Sequence, residues 1–217
     1  MQQADSAQRK KISLTAFFTS MDIITVKVGI LQTNCYILKH DGKAVVIDPG
    51  AKVQRILDAL GDAHLLAVLL THGHFDHIGA LNDLLAIQSV PVYLHSDDEP
   101  LLKDPQLNYS FPKRFTVDAP TKPYPDNLEV GPFKFEVIES PGHTSGSVML
   151  RIGEHLFSGD TLFKLSVGRT DLKTGNPTAM KQTLRSIKSL HGPLIIWPGH
   201  EESTTLDDEI KQNPYLR

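Results

Sequence analysis

The chain has 217 residues and a mass of 24.0 kDa, which fits one domain, and 40% hydrophobic residues allow a sizeable core. A net charge of -3 gives no electrostatic reason to expect a nucleic acid partner, and no apolar run reaches the ~18 residues of a membrane span. The single cysteine, Cys35, excludes an internal disulfide framework. We therefore expect a cytoplasmic protein without membrane contact, with Cys35 as a small buried hydrophobe.

The N-terminal segment is polar and basic, and it lacks the pattern of a secretory signal. A clear strand pattern begins only after Met21. We predict that residues 1–20 form a disordered extension and that residues 21–217 form one folded domain.

Short apolar runs alternate with turn residues in the first half of the chain, and this predicts strands. The predicted strands are Ile23–Val28, Cys35–Lys39, Ala44–Ile47, Leu65–Leu70 and Val92–Leu94. One helix is predicted at about Val53–Leu60, and apolar residues at helical spacing predict another from Ile78 to Leu85. Asp97 and Asp98 resemble the cap of a further short helix.

Repeated prolines in residues 104–127 exclude a regular helix or a central strand, so this segment is predicted to be a long loop. Either a specificity loop or a plain connector fits it. As a specificity loop, it would place Tyr109 and Phe111 in the wall of a binding pocket. The second half then repeats the first, with strands predicted at Phe133–Ile138, Val148–Ile152, His155–Phe157 and Leu194–Trp197 and a helix at Pro177–Leu190. This order predicts a layered α/β domain with two facing sheets and helices outside.

The segment His72-Gly73-His74-Phe75-Asp76-His77 directly follows an apolar strand. In an extended chain, residues i and i+2 project to one side, so His72 and His74 can bind one ion together. Asp76 could instead cap the helix that follows it. The density of imidazoles and carboxylates favours a metal site.

Three later motifs also place one metal-competent side chain after a strand and a glycine. They contribute His143, Asp160 and His200, whereas His40, His64, His95, His155 and His191 lack this context and are expected on the surface or in the core. Without cysteine, and with more ligands than one tetrahedral ion needs, the set favours two divalent ions about 3.5–4 Å apart. Zinc is our first expectation, although imidazole and carboxylate also suit iron and manganese.

This order of motifs resembles the metallo-β-lactamase superfamily. The resemblance implies an αββα four-layer sandwich with two facing mixed sheets. It also implies that His72, His74 and His143 hold one ion, that Asp76, His77 and His200 hold the second, and that Asp160 bridges them. Asp48 would order the metal loops without binding an ion, although a plain turn residue before Pro49 fits it too.

Three further segments resemble the glyoxalase II group, in particular its short hydroxyacylglutathione hydrolase-like branch. They are Gly159-Asp160-Thr161-Leu162-Phe163, Gly168-Arg169-Thr170-Asp171 and Asn213-Pro214-Tyr215-Leu216. The resemblance implies hydrolysis of a small acyl thioester of the S-lactoylglutathione type by a metal-bridging hydroxide, with Asp76 and Asp160 as catalytic residues. The C-terminal helical region of longer glyoxalase II enzymes is missing after His200, and Ser145 replaces a frequent proline, so the thiol carrier stays open. No substrate-binding residue is predicted; Arg169 could bind an anionic group, but a structural pair with Asp171 is favoured.

Other functions share parts of this pattern. The persulfide dioxygenases of the same superfamily also show Gly-Arg-Thr-Asp, and such an enzyme would use one iron held by His72, His143 and Asp160. A β-lactamase shares the ligand pattern, but the segments at Arg169 and Tyr215 argue against it. A metal-stabilised binding module without catalysis is the least consistent with so complete a ligand set.

Overall fold

A computed structural model describes residues 21–217, and the extension predicted over residues 1–20 lies outside them. The strands form two six-stranded sheets and a small hairpin. The first sheet has the order β1 (Asp22–Val28), β2 (Thr33–His40), β3 (Lys43–Ile47), β4 (His64–Leu69), β5 (Val92–Tyr93), β6 (Thr121–Lys122). The second sheet, in chain order, contains β7 (Asn127–Val130), β8 (Phe133–Glu139), β9 (Val148–Ile152), β10 (His155–Gly159), β13 (Ile195–Pro198) and β14 (Thr204–Thr205). The hairpin pairs β11 (Leu162–Phe163) with β12 (Ser166–Val167).

Both sheets are mixed, because each joins an antiparallel part to a parallel part. In the first sheet β1, β2 and β3 are antiparallel neighbours, and β4, β5 and β6 continue parallel to β3. Asp41 and Gly42 form the turn between β2 and β3 with φ of 48° and 69°, the conformation that Asp-Gly favours in a tight hairpin. In the second sheet, in the spatial order β14-β13-β10-β9-β8-β7, only β10 and β13 are parallel.

Strands β2, β3 and β4 of the first sheet are buried on both faces, which explains their continuous apolar runs. Along β2, Cys35 and Ile37 pack towards the outer helices, whereas Tyr36 and Leu38 pack between the two sheets. Phe157 belongs to the same intersheet core and comes from the second sheet. Cys35 is fully buried and carries no disulfide, as the sequence predicts.

Helices cover the outer face of each sheet. They are α1 (Val53–Leu60), α2 (Phe75–Ile78), α3 (Leu81–Ile87), α4 (Glu99–Lys103), α5 (Pro177–Ile187) and α6 (Leu206–Gln212). Ile56 of α1 and Leu84 of α3 pack into the core outside the first sheet, and Leu184 of α5 and Leu206 of α6 pack into the core outside the second. The predicted αββα architecture is therefore confirmed.

The helix predicted from Ile78 to Leu85 is wrong in its continuity, because α2 ends at Ile78 and α3 begins at Leu81. The break lies where Gly79 and Ala80 meet the turn after β3. A Cβ on Gly79 would clash with the Gly50 carbonyl oxygen, and Ala80 N–H donates to Pro49 O at 2.9 Å. Sequence analysis also did not predict α6 or the strands β6, β7, β11, β12 and β14.

The loops that carry the candidate ligands all leave the carboxyl ends of strands and collect along one edge of the sandwich. Backbone hydrogen bonds connect them there. Asn34 N–H donates to Gly199 O at 2.7 Å, Gly199 N–H donates to Gly159 O at 2.8 Å, and Val148 N–H donates to Thr71 O at 2.9 Å. None of the helices in residues 21–217 is long and apolar enough to cross a membrane.

Candidate metal centre

The predicted ligands form two adjacent groups at this edge. The first group consists of His72, His74 and His143, and the second group consists of Asp76, His77 and His200. In each group, one possible ligand atom from every residue lies within 4.8 Å of the others. The structure thus brings together the residues that the family resemblance assigns to each ion.

The first group is the more deeply buried of the two, since all three histidines are almost inaccessible. Their ring centroids are 4.7–4.9 Å apart, with each pair nearly perpendicular. His74 Nδ1 lies 2.9 Å from His143 Nε2. His143 Nδ1 donates to Arg169 O at 2.8 Å, so His143 Nε2 carries a lone pair. These two nitrogens can share one proton or bind the same cation.

The second group is partly open to solvent, because Asp76 and His200 are only partly buried while His77 is fully buried. Asp76 Oδ2 lies 3.1 Å from His200 Nε2 and 3.5 Å from His77 Nε2. Thr33 Oγ1 donates to the same oxygen at 2.9 Å and so helps to hold the carboxylate in place.

Asp160 lies between the two groups. Its Oδ1 is 3.3 Å from His77 Nε2, and its Oδ2 is 3.5 Å from both His143 Nε2 and His200 Nε2. A Cβ on Gly199 would clash with Asp160 Oδ1, which explains the glycine before His200. One carboxylate therefore faces a ligand of the first group and two ligands of the second.

The outer ring nitrogens of four histidines are held by oxygen atoms. His72 Nδ1 pairs with Thr71 Oγ1 at 3.1 Å, His77 Nδ1 with Asp48 Oδ2 at 2.9 Å, His143 Nδ1 with Arg169 O at 2.8 Å, and His200 Nδ1 with Leu31 O at 3.1 Å. Carboxylate and carbonyl oxygens only accept, and Thr71 Oγ1 uses its hydrogen on Asp48 at 2.6 Å, so each Nδ1–H donates. Each Nε2 is then directed inward and can bind a metal ion once it carries no proton, as histidine ligands require.

Three inward atoms are buried without a hydrogen-bond partner among the described residues: the Nε2 atoms of His72 and His77, and Asp160 Oδ1. His74 Nε2 also has no partner there, but Nδ1 is the atom of His74 that faces His143. Buried polar atoms without partners are costly, so they need a partner that the side chains do not supply. Bound cations would provide it, and nitrogen with carboxylate oxygen is a suitable donor set. The His and Asp residues therefore fit a metal centre.

Asp48 stands directly behind this centre. Its Oδ1 accepts from Thr71 N–H at 2.8 Å, and its Oδ2 accepts from Thr71 Oγ1 and His77 Nδ1. Asp48 also belongs to a possible ligand trio with His72 and His77. Because its oxygens already accept these hydrogen bonds, we place it behind the ligands; its ordering role stays a prediction.

The sequence match to a known family covers most of the described chain. Residues 28–200 match the family model described as Metallo-beta-lactamase superfamily. The chain belongs to the metallo-β-lactamase superfamily. Members of this superfamily bind dinuclear metal centres, and the two groups around Asp160 fit such a centre.

Two curated members of the superfamily match nearly the whole chain. The "Probable metallo-hydrolase YqgX" of Bacillus subtilis is 37% identical over 206 residues, which is 87% of this chain and 94% of that relative. The "Hydroxyacylglutathione hydrolase GloC" of Haemophilus influenzae is 32% identical over 213 residues, covering 90% of this chain and 98% of that relative. The first of these relatives is thus named a metallo-hydrolase and the second a hydrolase.

Three solved superfamily structures share the fold. "BLEG-1 B3 metallo-beta-lactamase" has a TM-score of 0.85 at 37% identity, covering 90% of this chain and 99% of its own. "TTHA1623 in a di-iron-bound form" has a TM-score of 0.80 at 35% identity, covering 89% and 100%. "ETHE1 from Myxococcus xanthus" has a TM-score of 0.73 at 27% identity, covering 89% and 84%.

Burial and neighbouring charges set the protonation of this metallo-β-lactamase-like centre before metal binds. Burial lowers the pKa of His72, and it lowers the pKa of His74 to about 3. Burial alone would lower the pKa of His200, but its contacts with Asp160 and Asp76 outweigh burial and raise that pKa to about 9. Burial likewise would raise the pKa of Asp160, but His77 holds it well below its usual range. His72 and His74 are therefore neutral before metal binds, while His200 carries a proton that Asp76 and Asp160 balance.

A cavity of about 290 Å³ opens above the two groups. Besides the candidate ligands, it is lined by Leu31, Phe75, Tyr109, Arg169 and Leu172. Sequence analysis named Arg169 as a possible anion-binding residue and Tyr109 as a possible wall residue. It did not name Leu31, Phe75 or Leu172, because an apolar wall residue cannot be told from a core residue without the fold.

Tyr109 brings the proline-rich segment into this wall. Its φ of 60° is unusual for a residue with a side chain, its hydroxyl accepts from Lys173 N–H at 2.6 Å, and its ring centroid lies 5.6 Å from that of His74. Phe111 is 71% exposed and does not line the cavity. The specificity-loop interpretation is therefore favoured over the plain connector.

Arg169 forms the structural pair that the sequence favours. Its Nε lies 2.7 Å from Asp171 Oδ1, and its second terminal nitrogen lies 2.7 Å from Asp171 Oδ2. The bidentate pair uses Nε and one terminal nitrogen, so Asp171 offsets the charge of Arg169 and leaves the other terminal nitrogen outside the pair.

Proposed function

We propose that this protein is a dinuclear metal-dependent hydrolase of small acyl thioesters, with S-lactoylglutathione as the substrate type. The observation that carries the proposal is the position of Asp160, whose two oxygens face ligands of both groups. The similarity to the GloC hydrolase supports the thioester part.

The first group would hold one ion, the second group would hold another, and Asp160 would contact both. Such ions lower the pKa of bound water to about 7 and polarise a carbonyl oxygen, which supplies hydroxide and an electrophile at neutral pH. Zinc remains the first candidate, and the di-iron form of TTHA1623 keeps iron open.

The side chains of this protein would then orient the reaction. Asp76 and Asp160 would offset about two of the four positive charges of two divalent ions and would leave the site positively charged. That residual charge favours an anionic tetrahedral transition state over a neutral thioester. A thiolate leaves readily, so a general acid is not essential to the scheme.

The cavity wall would confine the substrate. Leu31, Phe75 and Leu172 offer apolar surface, and Arg169 is neutralised by Asp171. The carrier thiol would therefore be held mainly by shape and apolar contact, and we expect a high KM for glutathione thioesters.

Two other reactions have a specific observation in their favour. The ETHE1 structure is consistent with a persulfide dioxygenase, which would use one iron at His72, His143 and Asp160. The complete second group argues against a single ion. BLEG-1 is named a β-lactamase and is 37% identical, so β-lactam hydrolysis belongs in the same assay.

The test is one substrate panel on metal-replete protein. Thiol release is measured from the lactoyl, acetyl and formyl thioesters of glutathione, oxygen uptake is measured with glutathione persulfide, and ring opening is measured with a β-lactam. We expect thiol release to dominate and to disappear in chelator-stripped protein. Brisk oxygen uptake or β-lactam turnover without thiol release would overturn the assignment.

A further inference from the structure

A buried carboxylate outside the candidate ligands has no role in the proposed function. Asp98 is 0% exposed and stands at the end of a short 3-10 turn, Ser96–Asp98, directly before α4. The sequence predicts a helix cap there, and the position is right. The side chain, however, makes no capping hydrogen bond to α4.

The Asp98 carboxylate instead accepts three hydrogen bonds from two metal loops. Oδ2 accepts from Gly73 N–H at 2.9 Å and from Thr144 Oγ1 at 2.8 Å, and Oδ1 accepts from Gly146 N–H at 2.8 Å. Gly73 lies between His72 and His74, and Thr144 directly follows His143. One buried side chain thus joins the two loops that supply the first group.

The surrounding backbone is shaped for this contact. A Cβ on Gly146 would lie 2.7 Å from Asp98 N and 2.9 Å from Asp98 Oδ1, closer than side chains tolerate. A Cβ on Gly73 would lie 2.7 Å from Leu101 Cβ, in the helix that Asp98 precedes. Glycine at both places lets the two loops approach the start of α4.

The contacts of Asp98 concern one group only. Within residues 21–217, its hydrogen bonds reach the loops of the first group and none reaches Asp76, His77 or His200. Asp48, in contrast, binds His77 of the second group as well as Thr71. The two buried aspartates therefore support different parts of the centre.

We propose that Asp98 is a positioning residue that fixes the His72–His74 loop against the His143 loop and so sets the metal affinity of the first group. The proposal rests on the metal centre of the proposed function but not on its substrate. Asp98→Asn is the sharpest substitution, because an amide offers one acceptor oxygen where the carboxylate offers two. The NH2 group of asparagine must face either Gly146 N–H or the donors of Gly73 and Thr144. Because a donor then faces a donor, the His72–His74 loop and the His143 loop should be pushed apart.

The experiment measures Zn²⁺ affinity by competition with a chromophoric chelator in the full chain. Asp98→Asn is compared with Thr144→Val, which removes one donor, and with the control Asp97→Asn, an exposed neighbour. Each variant is also made in a His200→Ala background, in which only the first group keeps all three of its candidate ligands. Co²⁺ absorption in that background reports the ligand geometry, which a loss of stability alone would not alter.

We expect Asp98→Asn to weaken Zn²⁺ at the first group by roughly 10–100-fold and to shift the Co²⁺ spectrum. Thr144→Val should change the Zn²⁺ affinity and the Co²⁺ spectrum in the same direction but to a smaller extent. Asp97→Asn should give the same values as the protein without that substitution. Unchanged Zn²⁺ affinity and an unchanged Co²⁺ spectrum in Asp98→Asn would overturn the proposal. If that variant does not fold, unchanged values in Thr144→Val would overturn it equally.

The outcome is separable from that of the proposed function, because no substrate is present. Loss of thioester hydrolysis as an activity would leave these affinities untouched. Equal weakening of both groups in Asp98→Asn would also contradict the proposal, since it would indicate general destabilisation rather than positioning.

Discussion

Replacing Asp48 by asparagine tests how the protein holds its second group. Asp48 is 1% exposed, and its two oxygens accept from Thr71 N–H, Thr71 Oγ1 and His77 Nδ1. An amide must turn its NH2 towards one of these donors. A buried donor left unpaired costs about 1–3 kcal/mol. For a domain of this size, each kcal/mol lowers the melting temperature by roughly 2–4 °C, so we expect a fall of several degrees.

The same substitution should weaken metal binding through His77. If the NH2 faces His77 Nδ1, the ring favours the tautomer with its proton on Nε2, and the inward lone pair is lost. Loss of an outer partner of this kind typically weakens metal affinity by about 10–100-fold. We therefore expect Asp48→Asn to release metal from the second group well before the first.

The assay combines calorimetry of the metal-free protein with elemental analysis after dialysis against limiting chelator. Asp62→Asn, at an exposed turn after α1, is the matched control and should behave as the wild type. If the Asp48→Asn variant has the wild-type metal content and melting temperature, the prediction is refuted. That result would show that the three hydrogen bonds of Asp48 do not stabilise the metal centre.

Four further outcomes are expected. Asp160→Ala should reduce the metal content of both groups and abolish turnover, whereas His200→Ala should mainly weaken binding of the second ion. Elemental analysis measures both effects. One tightly bound iron that is unaffected by His200→Ala would favour the dioxygenase instead. Tyr109→Phe loses the contact with Lys173 N–H, and this variant and Tyr109→Ala should change KM, by raising it, more than they change kcat. The control Phe111→Ala, at an exposed residue, should change neither constant. Steady-state kinetics in which the Tyr109 and Phe111 variants have equal effects would show that Tyr109 does not form the cavity wall. The pKa of His200 is about 9, so below that pH a metal ion must displace a proton from this side chain. The metal affinity of the second group should therefore rise with pH and level off near pH 9. Calorimetry that shows no proton release on metal binding would contradict this. Deleting residues 1–20 should leave activity and melting temperature nearly unchanged, because that segment is polar and basic and the strand pattern begins only after Met21. A loss of several degrees would contradict this.

The strands that position the centre could be predicted because their burial is reflected in local sequence. Residues 44–47 pack alternately towards the helices and towards the second sheet, so both faces require apolar side chains. The ligand loops follow such strands directly. Their grouping by ion came from the family resemblance, and the structure shows that the backbone does bring each group together.

The role of Asp98 could not be predicted, and Tyr109 could be predicted only as a possible wall residue, because the contacts of each depend on partners far along the chain. A buried aspartate before a helix resembles a cap in any sequence, and only the fold shows Gly73, Thr144 and Gly146 around it. Tyr109 lies among prolines that indicate a loop but not its path.

Helix α6 was missed although a local signal existed. Thr205 caps it by accepting from Asp208 N–H at 3.2 Å, and this Thr-x-x-Asp spacing is typical of a helix start. Its short length and acidic first turn conceal the apolar positions Leu206 and Ile210, which pack into the outer core.

The central claim is that two ions, joined by Asp160, are needed for thioester hydrolysis. The most direct measurement is the rate of thiol release from S-lactoylglutathione as metal is added stepwise to stripped protein. We predict little activity up to one equivalent, a rise between one and about two equivalents, and a plateau thereafter. Full activity at one equivalent, or no thiol release at any loading, would contradict the account.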